Sequence, residues 1–217
     1  MYDSFTSDQP RYERKFLLNT LQSLGLKQLV KLNSAGFTQA YASRRVNNIY
    51  YDTSDFAHFR ENLAGVSPRK KIRVRWYGDF DSIDKPVLEI KSKNGEVVTK
   101  QSLAVSSANP QFIKKFLQRT TSNYLPVLKN SYCREYFISA DRAIRLTVDT
   151  QVTFSDIGHD ITSAPTHLVS HTIVELKYPL AEEHRATTIC TTLPFRLTKS
   201  SKYEQGVSLC YPHLAIL

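Results

Sequence analysis

The chain has 217 residues, which fit one large domain or two small ones, and its hydrophobic fraction of 41% is enough for a core. Its formal net charge of +9 predicts an anionic partner: nucleic acid, membrane headgroups or phosphate-rich small molecules. The three cysteines are widely separated without a Cys-x-x-Cys pair, which argues against a disulfide framework and a thiolate metal site.

The first third of the chain predicts two strands, each followed by helical structure. Arg11–Phe16 reads as the first strand, and Asn19 or Thr20 can cap a helix through about Leu32. Arg45–Tyr51 is rich in β-branched and aromatic residues and predicts a second strand, with one or two helical turns over Asp55–Asn62. The apolar residues near helical spacing in the first helix are Leu21, Leu24, Leu29 and Leu32.

A strongly basic strand follows at Arg69–Tyr77, where charged and apolar residues alternate. The bases are Lys71, Arg73 and Arg75, and the apolar residues are Ile72, Val74 and Trp76. Alternate residues of a strand lie on opposite faces, so this strand has one cationic and one apolar face. A solvated outer strand would show the same pattern, and only its recurrence elsewhere favours an enclosed charged face.

The rest of the chain predicts further strands and helices in alternation. Asn94-Gly95 predicts a hairpin turn between two strands, and Asn109-Pro110 predicts the start of a helix. A final helix is predicted to begin at Ser200 or Ser201. The other predicted segments are strands at Val87–Lys93, Val97–Val105, Val127–Ala140, Ala143–Phe154 and His171–Tyr178, and a helix at Ala181–Thr192.

Several of these strands repeat the division between a charged and an apolar face. Glu13/Lys15, Glu89/Lys91 and Glu175/Lys177 each place an acid and a base on the same side. We therefore predict an α+β fold of mainly antiparallel strands: a closed or nearly closed barrel of about eight strands with a charged lumen. Helices would cover its apolar outside. Such a lumen suits a polyanion held with a divalent cation.

Six short motifs in this order resemble a known family. They are Tyr12-Glu13-Arg14-Lys15-Phe16, Ile49-Tyr50-Tyr51-Asp52-Thr53, Lys71-Ile72-Arg73-Val74-Arg75, Leu88-Glu89-Ile90-Lys91, Val174-Glu175-Leu176-Lys177 and Ser201-Lys202-Tyr203. The chain resembles the polyphosphate polymerase (VTC) domain, a branch of the triphosphate tunnel metalloenzymes. The resemblance runs from about Arg11 to about Gly206, and we expect residues 1–217 to form a single tunnel domain.

The resemblance implies a set of site residues. The bases implied as catalytic are Lys15, Arg73, Arg75, Lys91, Arg134, Arg145 and Lys202. The residues implied in substrate binding are Lys100, Lys177, Lys199 and Ser201. Free backbone N–H groups where the final helix begins would add to anion binding.

The resemblance implies Mn²⁺ or Mg²⁺ as cofactor, with Glu175 as the metal-binding glutamate. Glu13 and Glu89 either help to hold the metal through oxygen ligands or orient neighbouring Lys and Arg side chains. The wider superfamily commonly begins with Glu-x-Glu-x-Lys, whereas Arg11 stands at the first acidic position here. This departure removes one possible metal carboxylate and argues against the hydrolase branches that depend on it.

Three functions remain compatible with the sequence. The first is a polymerase that moves the γ-phosphoryl group of ATP to a growing inorganic polyphosphate chain, and the second is a triphosphate or polyphosphate hydrolase with water as acceptor. The third is a non-catalytic barrel that binds polyphosphate or RNA. Nucleic-acid binding usually uses aromatic platforms on the basic face, and the apolar residues of the basic strand lie on the other face, so no nucleic-acid partner is expected.

The expected ligands are therefore ATP, inorganic polyphosphate, and pyrophosphate or triphosphate. No Walker A loop and no zinc-binding motif occurs. The N-terminus lacks the features of a signal peptide and no run of ~18 apolar residues occurs, so we expect a cytoplasmic protein without a membrane span. The sequence does not identify protein partners.

Overall fold

A computed structural model of the protein describes residues 6–7, 11–95, 97–117, 123–157 and 166–214. In these residues the chain forms one antiparallel sheet and six α-helices. The strands are β1 (Thr6–Ser7), β2 (Tyr12–Leu18), β3 (Thr38–Thr53), β4 (Arg69–Tyr77), β5 (Val87–Asn94), β6 (Val97–Ala104), β7 (Tyr124–Ile138), β8 (Arg145–Asp156), β9 (Thr166–Val169) and β10 (Thr172–Tyr178). The helices are α1 (Thr20–Ser23), α2 (Leu26–Leu32), α3 (Ala57–Leu63), α4 (Pro110–Leu117), α5 (Glu183–Thr192) and α6 (Lys202–Cys210).

The sheet is strongly curled but not closed. Its strand order is β1-β6-β5-β4-β3-β7-β8-β10-β2, with β9 paired to β8. Two of the strands are very short, so the expected number of main strands is confirmed. Within the described residues no backbone ladder joins the two edges, but the Lys91 ammonium on β5 lies 3.1 Å from the Glu13 carboxylate on β2. A salt bridge therefore spans the gap between strands that are not neighbours.

The alternation predicted for β4 is confirmed. Ile72, Val74 and Trp76 are 3%, 0% and 0% exposed, and they pack in one apolar cluster with Ile113 and Leu117 of α4. The bases of β4 face the opposite side, where Arg73 lies opposite Glu89 of β5 in the register. We call this second, concave side of the sheet the lumen. Helix α4 thus covers the apolar outside of the sheet, as expected.

The first helix was predicted as one continuous element with four leucines on its apolar side, and both parts of this prediction are wrong. Gly25 has a left-handed φ of 80° and separates α1 from α2. After this break, Leu26 and Val30 of α2 are the buried residues. The residues expected to face the core instead remain largely exposed, namely Leu21, Leu24 and Leu32.

Helix α6 packs against the lumen, whereas α4 covers the outside of the sheet. Gly206 lies so close to the sheet that an added Cβ would be 2.5 Å from atoms of Leu128 and Phe154. Tyr203 of α6 stacks on Tyr50 of β3, with ring centroids 5.1 Å apart. The apolar side chains at this end of the lumen need a cover, and α6 supplies it.

The other predicted elements lie close to their predicted positions. The hairpin around Asn94-Gly95 joins β5 and β6, and the Asn109 side chain accepts a hydrogen bond from the Gln111 N–H at the start of α4. The Ser201 side chain caps α6. Of the helices that the structure describes, none combines the length and the apolar character that a membrane crossing requires.

Candidate active site in the lumen

Arg134, Asp149 and Lys202 form the most buried group of charges in the lumen. Arg134 Nε lies 2.5 Å from Asp149 Oδ1, and its Nη2 donates to Oδ2 at 2.7 Å. The Lys202 ammonium lies 2.5 Å from Asp149 Oδ2. Burial raises the pKa of Asp149, but these two cations outweigh burial and hold it below its ordinary value. One internal carboxylate therefore balances two cations supplied by β7 and α6.

Glu13 and Glu175 are held among shared lysines on the neighbouring strands β2 and β10. Lys15 lies 3.9 Å from Glu13 and 3.5 Å from Glu175, and Lys177 lies 3.7 Å and 3.3 Å from them. Burial and the nearby Glu175 raise the pKa of Glu13, but Lys177 and Lys91 lower it to about 2. The contacts with Lys15 and Lys177 are longer than those around Asp149, and Glu13 also accepts hydrogen bonds from Lys91 at 3.1 Å.

Glu89 is arranged differently from the other two glutamates. Arg73 donates to it at 2.6 Å, Lys100 lies 2.8 Å away and Arg75 lies 3.7 Å away. Burial raises its pKa, but the three cations hold the pKa far below its ordinary range. This tight pairing supports the alternative in which Glu89 orients its basic neighbours.

The start of α6 brings Ser201 and Glu204 to the basic strand β4. The Lys71 ammonium donates to Ser201 Oγ at 2.8 Å and to Glu204 at 2.9 Å. Lys15 donates to the backbone carbonyl of Ser200 at 3.0 Å. The N-terminus of α6, which carries Lys202, therefore lies beside lysines from two strands.

Two of the predicted site residues lie at the margin. Arg145 is exposed at the start of β8, opposite Lys177 in the register, and shares the face of Asp149. Lys199 is exposed before the start of α6. The structure brings the remaining predicted bases together through ion pairs or hydrogen bonds with lumen groups: Lys15, Arg73, Arg75, Lys91, Lys100, Arg134, Lys177 and Lys202.

The basic face also carries tyrosines from other strands, although Ile72, Val74 and Trp76 of β4 lie on the opposite face as predicted. Tyr132 accepts a hydrogen bond from Arg75 at 3.2 Å, and Arg134 lies over its ring at 5.2 Å. Burial raises the pKa of Tyr132, yet the nearby Arg134 and Arg75 guanidiniums leave it below its ordinary value. The lumen therefore does carry aromatic rings beside its bases, and a ligand that contains a nucleobase is compatible with it.

Two lysines of the lumen, Lys71 and Lys91, lie in surroundings that disfavour their charged forms. Burial lowers the pKa of Lys71 and Lys91, and neighbouring lysines lower it further, although Glu204 and Glu13 partly oppose this. Removing water from an ammonium and placing a like charge beside it both disfavour the charged form. A bound polyanion would reverse this effect, because each phosphate unit adds about one negative charge between the lysines.

Two of the sequence motifs meet at the end of the lumen that α6 covers. The Tyr203 hydroxyl donates to the carboxylate of Asp52, which is fully buried. The same carboxylate accepts backbone N–H groups of His58 at 3.0 Å and Phe59 at 2.9 Å in α3. Asp52 therefore joins the end of β3 to α3 and α6. This explains why an aspartate stands in the motif Ile49-Tyr50-Tyr51-Asp52-Thr53.

The residues matched by a family comparison cover nearly the whole chain. Residues 10–211 match the family model for the VTC domain. The chain belongs to the VTC domain family. The resemblance to this family seen in the six motifs is thus confirmed, and the curled antiparallel sheet agrees with the fold predicted from the strand pattern.

Curated relatives of this VTC domain include proteins of the same name from two species. The chain is 25% identical to the vacuolar transporter chaperone complex subunit 4 of Trypanosoma brucei brucei (strain 927/4 GUTat10.1), over 77% of the chain. It is 24% identical to the subunit of the same name from Trypanosoma cruzi (strain CL Brener), also over 77%. The matched region is 28% of each relative, so the chain spans little more than a quarter of their length.

Solved structures share the fold of this VTC domain. A proposed adenylate cyclase from Vibrio parahaemolyticus superposes with a TM-score of 0.58 at 11% identity, covering 92% of this chain and 98% of that one. A proposed adenylyl cyclase from Hippeastrum, described as having a dominant triphosphatase activity, gives 0.55 at 14% identity, covering 93% and 97%. At these identities the likeness shows the fold alone.

Three lumen residues of the VTC domain were missed as site residues. Asp149 and Lys71 have the same parity as the predicted bases of their strands, and that signal was available in the sequence. Tyr132 lies two residues before Arg134, but β7 has a register shift between Ser131 and Cys133, so simple alternation assigns this region poorly.

Among the described residues there is no group of three or more His, Cys, Asp or Glu side chains arranged to hold a metal ion. The candidate donors are the carboxylates of Glu13 and Glu175, which are hard oxygen ligands. Mg²⁺ is typically bound through one or two carboxylates together with substrate phosphates. The two glutamates fit that arrangement, because their charges interact and their contacts with lysines are longer than 3 Å.

Proposed function

We propose that this domain is a polyphosphate polymerase, which transfers the γ-phosphoryl group of ATP to the end of an inorganic polyphosphate chain. The observation that carries the proposal is the continuous row of bases along the lumen. Arg75 and Arg134 meet at Tyr132, and Lys15, Lys177 and Lys202 surround Glu175. A linear phosphate chain can contact successive members of such a row, whereas a compact anion cannot.

The residues of the lumen can lower the barrier to phosphoryl transfer without a protein nucleophile. Phosphoryl transfer depends mainly on positioning and on neutralising charge on the transferring group. Arg73 and Arg134 are hydrogen-bonded to carboxylates, and Arg75 donates to the Asn48 amide oxygen and the Tyr132 hydroxyl. Their guanidiniums are therefore pre-oriented for phosphate oxygens. Lys15 and Lys177 would neutralise charge as point charges held beside Glu175. The attacking oxygen would belong to the growing chain.

Glu175 and Glu13 are the residues that would hold Mn²⁺ or Mg²⁺. When bound, the ion would supply further charge neutralisation on the phosphates. Glu89 would act by orienting Arg73 and Lys100, with which it is tightly paired. Arg145 and Lys199, being exposed, would meet phosphate only where the chain enters or leaves the lumen.

The experiment that tests the proposal is incubation with ATP and Mn²⁺, followed by separation of long-chain polyphosphate from free phosphate. A polymerase yields chains, and free phosphate as the sole product would identify a hydrolase with water as acceptor. Lys15→Met should lower turnover by about 10²-fold, as expected for the loss of one preorganised charged group. Lys27→Met is the matched control, because Lys27 is 70% exposed and pairs with Glu135.

Tight binding of tripolyphosphate with no turnover of ATP would refute the enzymatic proposal. The lumen would then serve as a non-catalytic polyphosphate-binding site. Turnover that is equal in the Lys15→Met variant and the Lys27→Met variant would remove Lys15 from the catalytic residues.

A further inference from the structure

A group of tyrosines surrounds one arginine at the end of the lumen opposite α6. The Arg44 guanidinium lies 4.6 Å from the ring centroid of Tyr77, 4.9 Å from that of Tyr136 and 5.5 Å from that of Tyr41. The rings of Tyr41 and Tyr136 meet edge to face at 5.8 Å. We call these four residues the tyrosine mouth. Neither the sequence motifs nor the phosphate site described above includes any of them.

The tyrosine mouth continues the lumen along two neighbouring strands. In β4, Arg73, Arg75 and Tyr77 follow one another on the same face, from the part covered by α6 outward. In β7, Tyr136 follows Arg134, and Arg44 of β3 lies directly opposite Arg134 in the register. A ligand whose phosphates lie between Arg75 and Arg134 would therefore carry its other end into the mouth.

The mouth is open to a ligand. Tyr41 is 61% exposed and Tyr77 is 40% exposed, although tyrosines in this fold are otherwise often buried. Within the described part of the chain, Arg44 pairs with no carboxylate. This contrasts with Arg73 and Arg134, each of which is held by an acid. The tyrosine rings and the Arg44 guanidinium are therefore available to a ligand, whereas the arginines deeper in the lumen are paired with acids.

These groups match the chemistry of a nucleobase. Bases stack on tyrosine rings and on the planar guanidinium of arginine, and each stacked base contributes substantially to affinity. Inorganic phosphate has no planar face and could use only the charge of Arg44. The combination of a phosphate row and an aromatic end therefore points to a nucleotide with its phosphates inside the lumen.

We propose that the tyrosine mouth binds the base of a nucleoside triphosphate, so that the domain prefers nucleotides to inorganic triphosphate as the phosphoryl donor. This rests on the proposed function, because it places the triphosphate on the bases of the lumen. Stacking tolerates different bases, since every base has a planar face. ATP and GTP should therefore bind about equally well.

The test compares binding of ATP, GTP and tripolyphosphate by titration calorimetry for the wild-type protein and for Tyr77→Leu and Arg44→Lys, the second of which keeps the positive charge and removes the planar guanidinium. Each variant should raise the Kd for ATP by about 10-fold, the loss expected for one stacking partner, and leave the Kd for tripolyphosphate within about twofold of wild type. Tyr12→Leu is the matched control, because Tyr12 is 44% exposed and stacks on Tyr178 away from the mouth. Circular dichroism checks that each variant is folded.

Several results would overturn the proposal. Equal loss of ATP and tripolyphosphate affinity would mean that the mouth acts only through charge, and no loss of either would mean that it does not contact the nucleotide. A single-stranded oligonucleotide with a 5′-hydroxyl that binds as tightly as ATP would identify a nucleic-acid surface instead. Selective loss of ATP affinity in a protein that makes no polyphosphate would support the mouth and refute the polymerase.

Discussion

Asp149 offers a sharp test of how the lumen is stabilised without its ligand. Its carboxylate is 0% exposed and contacts two cations, Arg134 at 2.5 Å and 2.7 Å and Lys202 at 2.5 Å. Asp149→Asn keeps the size of the side chain but leaves two buried cations without this charge. Breaking a buried ion pair by removing one partner typically costs ~3–5 kcal/mol, so we expect a loss of unfolding free energy in that range.

Urea unfolding followed by fluorescence measures this loss, and Trp76, the single tryptophan, is fully buried and reports on the core beneath β4. Asp141→Asn is the control: Asp141 pairs with Arg185 on the surface, where ion pairs contribute little, so the control should unfold almost like wild type. A loss below ~1 kcal/mol for Asp149→Asn with an unchanged urea dependence would contradict the tight pairing on which the arrangement of Arg134 and Lys202 depends.

Three further predictions follow from packing and charge. Gly206→Ala should destabilise the protein by ~1–3 kcal/mol in urea unfolding, because the added Cβ would lie 2.5 Å from Leu128 and Phe154, and wild-type stability would refute the packing of α6. Val74→Lys should unfold far more easily, since it buries an unpaired ammonium under α4, and a stable variant would reverse the assignment of the faces of β4. In the folded protein the pKa of Glu13 is lowered from 4.5 to about 2, so its charge stabilises the fold fully above pH 4.5 and this stabilisation is lost as the pH falls toward 2. Glu13→Gln should therefore flatten that part of the plot of unfolding free energy against pH, and an unchanged plot would refute the shift.

The faces of β4 and β10 were predictable from the sequence because these strands pair without register shifts and alternate strictly. Ile72 and Val74 are buried outside while Arg73 and Arg75 face the lumen, as the two-residue period of a strand requires. Acid–base pairs such as Glu175 and Lys177 repeat that period. This alternation, together with the order of the motifs, was enough to predict that most of the bases lie in the lumen.

The contacts made after the strands assemble were not predictable in the same way. The placement of α6 inside the lumen depends on Gly206, Leu128 and Phe154 meeting across the fold, and no local pattern encodes that contact. The exposed leucines near Gly25 show a similar limit, because one residue with a positive φ interrupts the predicted helix.

The tyrosine mouth was missed for a related reason. The pairing of β3 with β7 shifts register between Gln39 and Tyr41 and again between Tyr41 and Arg44, so alternation cannot assign faces there. Register shifts of this kind re-aim side chains, and only the assembled sheet shows that Tyr41 and Arg44 meet Tyr136.

The measurement that most directly tests the central claim compares the melting temperature with tripolyphosphate and with sulfate at equal charge concentration. A lumen that holds a linear phosphate chain through successive bases should be stabilised far more by tripolyphosphate, because one chain contacts several of them at once. Lys15→Met and Lys177→Met should each reduce the tripolyphosphate shift, whereas Lys27→Met should leave it unchanged. Equal shifts with sulfate and tripolyphosphate in the wild-type protein would show a generic basic surface and contradict the account.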